Sequence, residues 1–411
     1  MFLEVLRRRN PRFVETAISL HQQGLLPPNT LVIDLDSVEA NARVIKVEAG
    51  RLGLEVLAMT KQMGRNPAFA RALIRGGIDK VVAVDMAGAR ACKRAGLGIG
   101  HLGHLVQIPR SESAEAARLE PDYWTVYSEE KARAAAQASQ DVGRNQPLMA
   151  RIHAPGDTFY RGHEGGFPAY DIVEVAAMLD GVSGGRFAGI TTFPALLFDQ
   201  ESRSVKPTPN LATLQTAAAA LVEAGYSGFE INAPGTSSMS VLEILRAAGA
   251  TQCEPGHGLT GTTPWHALED LPEVPAALYL SEVSHLHHGD AFCFGGGLYI
   301  DPVFPAYDVK ALVSSEPTVA AERLYDVEIP PPSAIDYYGM IDSSSGPSRP
   351  APGDSVVFGF RAQAFVTRAN TAGVSGISRG EAKIEGIYDG LGNRVELQGV
   401  PADRQGDRGD G

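Results

Sequence analysis

Eight short apolar runs alternate with helix-like segments between residues 55 and 253, and this alternation is the strongest constraint on the fold. Each run has the length of a buried strand, and the intervening segments, such as Thr213–Ala224, carry apolar residues at helical spacing. Repeated strand–helix pairs predict a parallel sheet, because a parallel connection needs a crossover. Eight pairs are the number that a (β/α)8 TIM-type barrel requires. The runs are Glu55–Met59, Lys80–Val84, Leu102–Ile108, Tyr123–Tyr127, Leu148–Ile152, Phe187–Phe193, Phe229–Ile231 and Thr251–Cys253.

A doubly wound open sheet is the alternative α/β architecture. It would place its binding loop after the first strands of the sheet. In this sequence the Gly-rich loops follow the seventh and eighth runs instead. That position favours the barrel.

The sequence pattern changes at about residue 276. Helical spacing disappears there, and segments such as Asp354–Arg361 and Ala382–Tyr388 are typical of antiparallel strands. The last eleven residues are rich in Gly, Asp and Arg, a composition typical of disorder. The predicted parts are an N-terminal helical extension (1–28), the barrel (29–275), a mostly antiparallel β-domain (276–400) and a disordered tail (401–411).

Charge and cysteine content exclude several classes of protein. A net charge of −12 and a pI near 5.4 argue against a general nucleic-acid binder, which needs a basic face, and against adhesion to an anionic membrane. No apolar run approaches the roughly 18 residues needed to span a bilayer, and Met1–Asn10 lacks the apolar core of a signal peptide. The three scattered cysteines imply no disulfide framework. The sequence therefore predicts a cytoplasmic protein.

Lys61 is a candidate nucleophile. It follows the apolar run Val56–Thr60, at the carboxyl end of the first predicted barrel strand. Barrel enzymes place catalytic residues at that end, and a partly desolvated lysine amine reacts readily with an aldehyde. The alternative is a lysine that merely extends its ammonium group to water. Position alone leaves both interpretations open.

The loops after the last two runs are candidate phosphate sites. The loop Asn232–Ser238 offers backbone N–H groups and three hydroxyls before a predicted helix. The loop Cys253–Gly261 contains three glycines. Each loop alone could be an ordinary capped turn, but loops after strands seven and eight form the common phosphate site of this architecture.

Several other side chains can exchange protons or bind metals. His285, His288, Cys293 and Tyr299 are candidate acids or bases, and three histidines beside Asp290 could also bind zinc. A structural role for these histidines is the alternative. His101 and His104 flank the third run, where core packing would account for them, and Arg151 and His153 end the fifth.

Two pairs of segments carry a resemblance to a known family. Leu31–Asp36 and Ala58–Lys61 resemble the opening of fold-type III pyridoxal 5′-phosphate (PLP) enzymes, the alanine racemase-like family. The loops Ile231–Ser238 and Glu254–Gly256 are similar to the family's phosphate-binding and pyridine-binding segments. The resemblance covers about residues 29–275, extends to an expected β-domain, and points to the YhfX-like branch.

The resemblance implies roles for individual residues. Lys61 matches the lysine that forms a Schiff base with PLP, and Arg161 matches the arginine that approaches the phenolic oxygen of the cofactor. A residue after the barrel, Cys293 or Tyr299, would serve the opposite face of the cofactor, often from a partner subunit, so a homodimer is expected. No metal ligand is predicted, because the His-x-Cys or His-x-Asp pair of the zinc-dependent members is not found near the end of the β-domain. The phosphate-binding and ring-binding set is Asn232, Gly235, Thr236, Glu254, Gly256 and His257.

Glu254 departs from the pattern of alanine racemase itself, which has an arginine facing the pyridine nitrogen. A carboxylate there, as in the decarboxylases of the fold, favours the protonated ring. A protonated ring is the stronger electron sink. The alternative is that Glu254 only caps a helix or pairs with an arginine.

The leading hypothesis is a PLP-dependent amino-acid racemase or epimerase. A PLP-dependent decarboxylase or lyase is the second, and a non-catalytic PLP-binding protein is the third, although the roughly 120 residues after 276 disfavour it. A metal-dependent hydrolase using His285–Asp290 is the remaining alternative. The substrate is an amino acid or similar amine that the sequence does not specify.

Overall fold

The computed structural model of the chain describes residues 1–298, 308–331, 336–362 and 368–397. These residues form two compact units. One unit comprises Ala42–Thr60 and Leu73–Gly258. The other comprises Met1–Asn41, Lys61–Ala72 and the described residues from Leu259 onward.

The first unit is built on a parallel sheet whose two ends belong to one strand. Glu55–Val56 pairs with Gln252–Cys253, whereas Ala58–Met59 pairs with Lys80–Ala83. The strand is interrupted only at Leu57, so it closes the sheet, and the predicted (β/α)8 barrel is confirmed. The strands are Glu55–Val56 with Ala58–Met59, Lys80–Ala83, Gly98–Leu102, Tyr123–Val126, Gln146–His153, Gly185–Thr191, Glu230–Asn232 and Gln252–Cys253.

Helices separate the strands, as the apolar spacing predicts. In Glu129–Gln140, small alanines such as Ala132 and Ala135 form the buried side of the helix, and the Ser128 hydroxyl accepts a hydrogen bond from the Lys131 N–H at its N-terminus. Small buried side chains let the helix approach the sheet closely. The helix Leu35–Leu52 precedes the first strand, and the helices between strands are Pro67–Arg75, Met86–Arg94, Ser113–Arg118, Glu129–Gln140, Ile172–Asp180, Pro209–Glu223 and Leu242–Ala247.

The third barrel strand differs from its predicted position. The sequence predicted Leu102–Ile108, but the strand is Gly98–Leu102. A Cβ on Gly100 would lie 2.5 Å from the Leu57 side chain, so close packing requires glycine and dilutes the apolar run. The more apolar stretch that follows is a loop, in which Val106 is 45% exposed.

The second unit contains a mostly antiparallel sheet, which confirms the predicted β-domain. Thr30–Asp34 also belongs to it, although the sequence placed the start of the barrel domain at residue 29. This strand is buried throughout and pairs with a strand on each side. In addition to Thr30–Asp34, the strands are Ala277–His287, Asp290–Phe294, Lys310–Ser314, Leu324–Glu328, Tyr338–Ile341, Ser355–Phe358, Asn370–Ser375 and Lys383–Tyr388.

Two N-terminal helices pack in this second unit. Phe2–Arg9 and Pro11–Gln22 contribute buried side chains to one apolar core with the sheet, including Phe13 and Ile18 beside Val32. The N-terminal residues predicted to be helical therefore contain two helices, and the second starts with proline at its first position. Within the described residues, no helix is both long and apolar enough to cross a membrane.

Candidate functional site

Glu254 is the acidic side chain at the centre of a buried polar cluster. It directly follows the eighth barrel strand and is 4% exposed. Its Oε1 accepts a hydrogen bond from Asn232 Nδ2 at 2.9 Å and lies 2.7 Å from His101 Nδ1. Since an ionised carboxylate only accepts, the proton of the second contact belongs to the imidazole.

The second carboxylate oxygen of Glu254, Oε2, has a different environment from Oε1. His104 Nε2 lies 3.7 Å from Oε2, beyond hydrogen-bond distance. Among the residues that the structure describes, no hydrogen bond reaches Oε2. Protein groups therefore fix one oxygen of this carboxylate and leave the other able to accept a proton from a ligand.

Asn232 orients Glu254. It ends the seventh strand, and its Oδ1 accepts a hydrogen bond from the Thr191 hydroxyl at 2.7 Å. The amide orientation follows from the carboxylate, which only accepts, so Nδ2 faces Glu254 and also donates to Gln252 Oε1. Both polar groups of Asn232 are used within the barrel. The side chain predicted to contact the cofactor therefore supports Glu254.

The contact between His101 and Glu254 was not foreseen from the sequence. His101 lies in the third strand, is fully buried, and has Nε2 2.5 Å from the Thr125 hydroxyl. His104 lies in the loop beyond the strand, with its ring centroid 4.9 Å from that of His101. The misplaced third strand concealed this arrangement. The sequence feature that could have revealed the strand is the pair of glycines in Gly98-Ile99-Gly100, because the small Gly100 leaves space for the Leu57 side chain of the first strand.

Arg151 lies near the end of the fifth strand, as the sequence indicates, and Arg161 lies in the loop after it. Arg151 is completely buried and donates to the backbone oxygens of His104 at 3.3 Å and His163 at 2.8 Å. Its guanidinium lies 5.0 Å from the Tyr127 ring centroid, and burial lowers its pKa. Its Nε is buried with no hydrogen-bond partner in the described part of the chain. Arg161 is exposed in the following loop.

A glycine in each Gly-rich loop packs closely against backbone atoms of another segment. A Cβ on Gly235 would lie 2.5 Å from the Leu196 backbone oxygen, and one on Gly258 would lie 2.5 Å from the Ser237 backbone oxygen. The Thr236 N–H donates to the Leu196 oxygen at 3.0 Å, so this predicted phosphate donor is already used within the protein. Ser238 is 1% exposed, and its hydroxyl oxygen has no hydrogen-bond partner among the described residues.

The remaining predicted phosphate ligands begin the second of these loops. Gly256 and His257 are half-buried, and His257 starts the short 3-10 turn His257–Thr260. Both residues follow Glu254 by two or three positions along the chain, so they leave the barrel at the same end of the strand. Their positions agree with the loop predicted from the sequence.

Lys61 follows the first barrel strand by two residues. Ala58–Met59 ends that strand, and Lys61 is the half-buried first residue of the 3-10 turn Lys61–Met63. The residue before it is anchored, because the Thr60 hydroxyl and the Cys92 thiol are 3.4 Å apart. Carboxyl ends of parallel barrel strands share one rim, so the chain reaches Lys61 from the rim that bears Glu254.

The predicted acids and bases of the β-domain are not equivalent. Cys293 is fully buried within strand Asp290–Phe294, and burial raises the pKa of its thiol to about 12. Burial disfavours the thiolate, so this environment is unfavourable for a base, and the role of Cys293 stays a prediction. Tyr299 lies outside the described residues.

The histidines of the same domain lie at a hairpin. His285 is exposed and stacks on Phe292 with centroids 4.7 Å apart, and His288 is also exposed. Asp290 begins the second strand of the hairpin. Among the described residues, no group of three or more His, Cys, Asp or Glu side chains could hold a metal ion.

Comparison with known proteins places these features in a family. Residues 33–264 match the family described as "Alanine racemase, N-terminal domain", and residues 278–384 match "YhfX-like, C-terminal domain". A protein of Escherichia coli (strain K12), described as "Uncharacterized protein YhfX", is 40% identical over 396 residues. The match covers 96% of this chain and all of that protein.

Solved structures share the fold at low sequence identity. D-threonine aldolase from Filomicrobium marinum has a TM-score of 0.65 at 18% identity, covering 89% of this chain and 95% of the other. Alanine racemase from Clostridium difficile 630 has a TM-score of 0.61 at 15% identity, covering 89% and 99%. D-threo-3-hydroxyaspartate dehydratase from Delftia sp. HT23 has a TM-score of 0.64 at 16% identity, covering 87% and 97%. These likenesses show the fold and leave the reaction open.

Proposed function

We propose that this chain, which belongs to the alanine racemase-like family and carries a YhfX-like C-terminal domain, is a PLP-dependent enzyme acting on an amino acid or a similar amine. The observation that carries the proposal is the geometry of Glu254, with Oε1 held by His101 and Asn232 and Oε2 left without a hydrogen bond. A fixed carboxylate at the end of a barrel strand suits the protonated ring nitrogen of PLP.

The loops fit the phosphate of the same cofactor. Gly235 and Gly258 allow backbone contacts that a Cβ would prevent, and these contacts hold the two loops in place. The buried Ser238 hydroxyl has no partner in the described residues and is suited to bind an anion. With Gly256 and His257 at the start of the second loop, the residues present match a phosphate cradle. Thr236 contributes its side chain only, because its N–H is already bonded.

The roles of individual residues follow from these positions. Bound PLP supplies an aldehyde that takes up an amine and a ring that delocalises negative charge from the α-carbon of the substrate. The amine of Lys61 would hold the aldehyde carbon and exchange a proton at the α-carbon. Glu254 Oε2 would hold the proton of the ring nitrogen. We assign to Arg151, rather than the exposed Arg161, the contact with the phenolic oxygen, because its buried Nε lacks a partner.

Within this class we propose an amino-acid racemase or epimerase, with a decarboxylase or lyase as the second candidate. The second is favoured by Glu254, since a carboxylate at the ring nitrogen gives the stronger electron sink. A racemase needs a proton donor on the opposite face, and burial of Cys293 leaves Tyr299 for that role. By the same resemblance we propose a cytoplasmic head-to-tail homodimer in which the partner subunit supplies this residue.

An exchange experiment tests the proposal. The purified protein with added PLP is incubated with a panel of L- and D-amino acids in deuterated water. Deuterium at the α-carbon with inversion of configuration would identify a racemase, and release of carbon dioxide, ammonia or an aldehyde would identify the second candidate. If PLP binds yet no amino acid exchanges its α-proton, the catalytic proposal is wrong. If PLP fails to bind, the cofactor proposal is wrong as well.

A further inference from the structure

We propose that His101 is a positioning residue: together with Asn232 it fixes Oε1 of Glu254, so that Oε2 is presented to the ring nitrogen of the bound cofactor. The inference rests on the proposed function for its ligand. The hydrogen bonds themselves belong to this chain and do not depend on that ligand.

The first argument is the number of donors at one oxygen. Asn232 Nδ2 and His101 Nδ1 lie 2.9 Å and 2.7 Å from Oε1 of Glu254, on opposite sides of the barrel interior: one comes from the seventh strand and the other from the third. Two donors on one carboxylate oxygen remove the rotational freedom that a lone carboxylate would keep. With Oε1 held, Oε2 of Glu254 can accept a hydrogen bond from one direction only.

The second argument is that both donors are themselves held. The Thr125 hydroxyl lies 2.5 Å from His101 Nε2, and the Thr191 hydroxyl donates to Asn232 Oδ1 at 2.7 Å. A threonine hydroxyl can donate or accept, so the contact with Thr125 serves either the neutral ring or the imidazolium. In both forms Nδ1 carries a proton toward Glu254. Buried polar groups satisfied in this way restrict side chains to a single arrangement.

The chain offers a matched control in its other unit. His266 and Glu273 also form a fully buried pair, with Nε2 and Oε2 3.2 Å apart, and the Thr263 hydroxyl lies 2.6 Å from His266 Nδ1. Both sites contain threonine, histidine and glutamate in contact. A loss of stability from removing a buried histidine should be common to both. A change in the cofactor should arise only at His101.

The experiment compares His101→Leu, His101→Asn and His266→Asn with wild type. Each folded protein is loaded with PLP labelled with ¹⁵N in the ring, and the ring nitrogen shift is followed with pH. We expect the protonated signal in wild type and His266→Asn, its loss in His101→Leu, and its partial return in His101→Asn, whose amide nitrogen replaces Nδ1. α-Proton exchange by His101→Leu should fall by about tenfold or more.

Unliganded protein separates this inference from the proposed function. With ¹⁵N-labelled histidine, we expect a proton on His101 Nδ1 that resonates far downfield because it faces a carboxylate. If PLP does not bind wild type while this signal is present, the proposed function fails and the hydrogen bond stands. If PLP binds and His101→Leu keeps a protonated ring nitrogen, the positioning role is wrong, even if the variant is less stable.

Discussion

Oε1 of Glu254 and Nδ1 of His101 lie 2.7 Å apart, and both side chains are almost wholly buried. The two residues are 153 positions apart in the sequence, and the contact joins the third barrel strand to the residue that follows the eighth. Removing one partner of such a pair would leave the other buried and unsatisfied. Substitutions that remove hydrogen bonding at this site are therefore compared with ones that keep it.

Borohydride reduction should attach PLP to Lys61. Reduction turns the bond between the lysine amine and the cofactor aldehyde into one that survives peptide mapping. Lys61→Ala should carry no label and should lose α-proton exchange by several orders of magnitude, since it removes the nucleophile. The exposed Lys206, paired with Asp199, provides the control Lys206→Ala, which should label as wild type does. A label on another lysine in wild type would contradict the assignment.

Gly235→Ala should weaken PLP binding, because the added Cβ would lie 2.5 Å from the Leu196 backbone oxygen and push the loop Asn232–Ser238 away from the strand Leu196–Asp199. Gly50→Ala is the matched control, since Gly50 is exposed in the helix Leu35–Leu52 and nothing lies within 4 Å of its Cβ position. Gly50→Ala should stabilise the protein by about 0.5–1 kcal/mol. Equilibrium titration with PLP and thermal unfolding measure both effects. Equal PLP affinity in both variants would argue against the cradle.

Alanine substitutions of Arg151 and of Arg161 should differ sharply in their effects on stability and PLP affinity. Arg151→Ala removes donors from three backbone oxygens and should cost about 1–3 kcal/mol of unfolding free energy as well as PLP affinity. Arg161→Ala, at an exposed position, should change stability by less than about 0.5 kcal/mol. Denaturant unfolding and PLP titration of both variants test this. A larger loss of PLP affinity in Arg161→Ala would restore the assignment made from sequence.

The buried thiol of Cys293 should be unreactive in the folded protein. Burial raises its pKa to about 12, well above that of a thiol in the unfolded chain, so the folded state holds the proton more tightly. Stability from this site is therefore complete below the unfolded pKa and decreases as pH rises above about 9. Alkylation followed by peptide mapping should modify Cys293 only after denaturation. Cys293→Ser should retain α-proton exchange, and a loss without unfolding would return Cys293 to the candidate acids.

The sequence predicted those parts of the fold that depend on local pattern. Seven of the eight apolar runs coincide with barrel strands, because strand length and apolar content are local properties. The prediction of the third strand was wrong because residue 100 must be glycine to pack against Leu57, and only the folded barrel imposes that requirement. Thr30–Asp34 was assigned to the wrong domain for a similar reason, since its partners lie more than 240 positions later.

In the candidate site, too, the sequence identifies some residues and misses others. Glu254 and the Gly-rich loops could be identified because their residue types and their places after strands carry the signal. His101 could not, since its role depends on a pairing across 153 residues. Arg151 and Arg161 have the same side chain, and only burial distinguishes them.

Glu254→Gln provides the most direct test of the proposed chemistry. Glutamine keeps the size of the side chain and its ability to accept from His101 and Asn232, but it removes the negative charge at the position of Oε2. A charge-assisted hydrogen bond to a ring nitrogen is worth on the order of 1.5–3 kcal/mol. If delocalisation of negative charge depends on it, α-proton exchange should fall by roughly tenfold to a hundredfold. PLP affinity should change less, because the loops hold the phosphate.

Glu254→Arg tests the opposite arrangement, in which a cation faces the ring nitrogen. It should lower any decarboxylation or elimination more than it lowers racemisation, since racemisation makes the smaller demand on the ring as an electron sink. The buried site has no space reserved for the longer side chain, so unfolding is measured alongside turnover. If Glu254→Gln exchanges the α-proton as fast as wild type while PLP remains bound, the carboxylate has only a structural role. The decarboxylase or lyase candidate would then lose the observation that favours it.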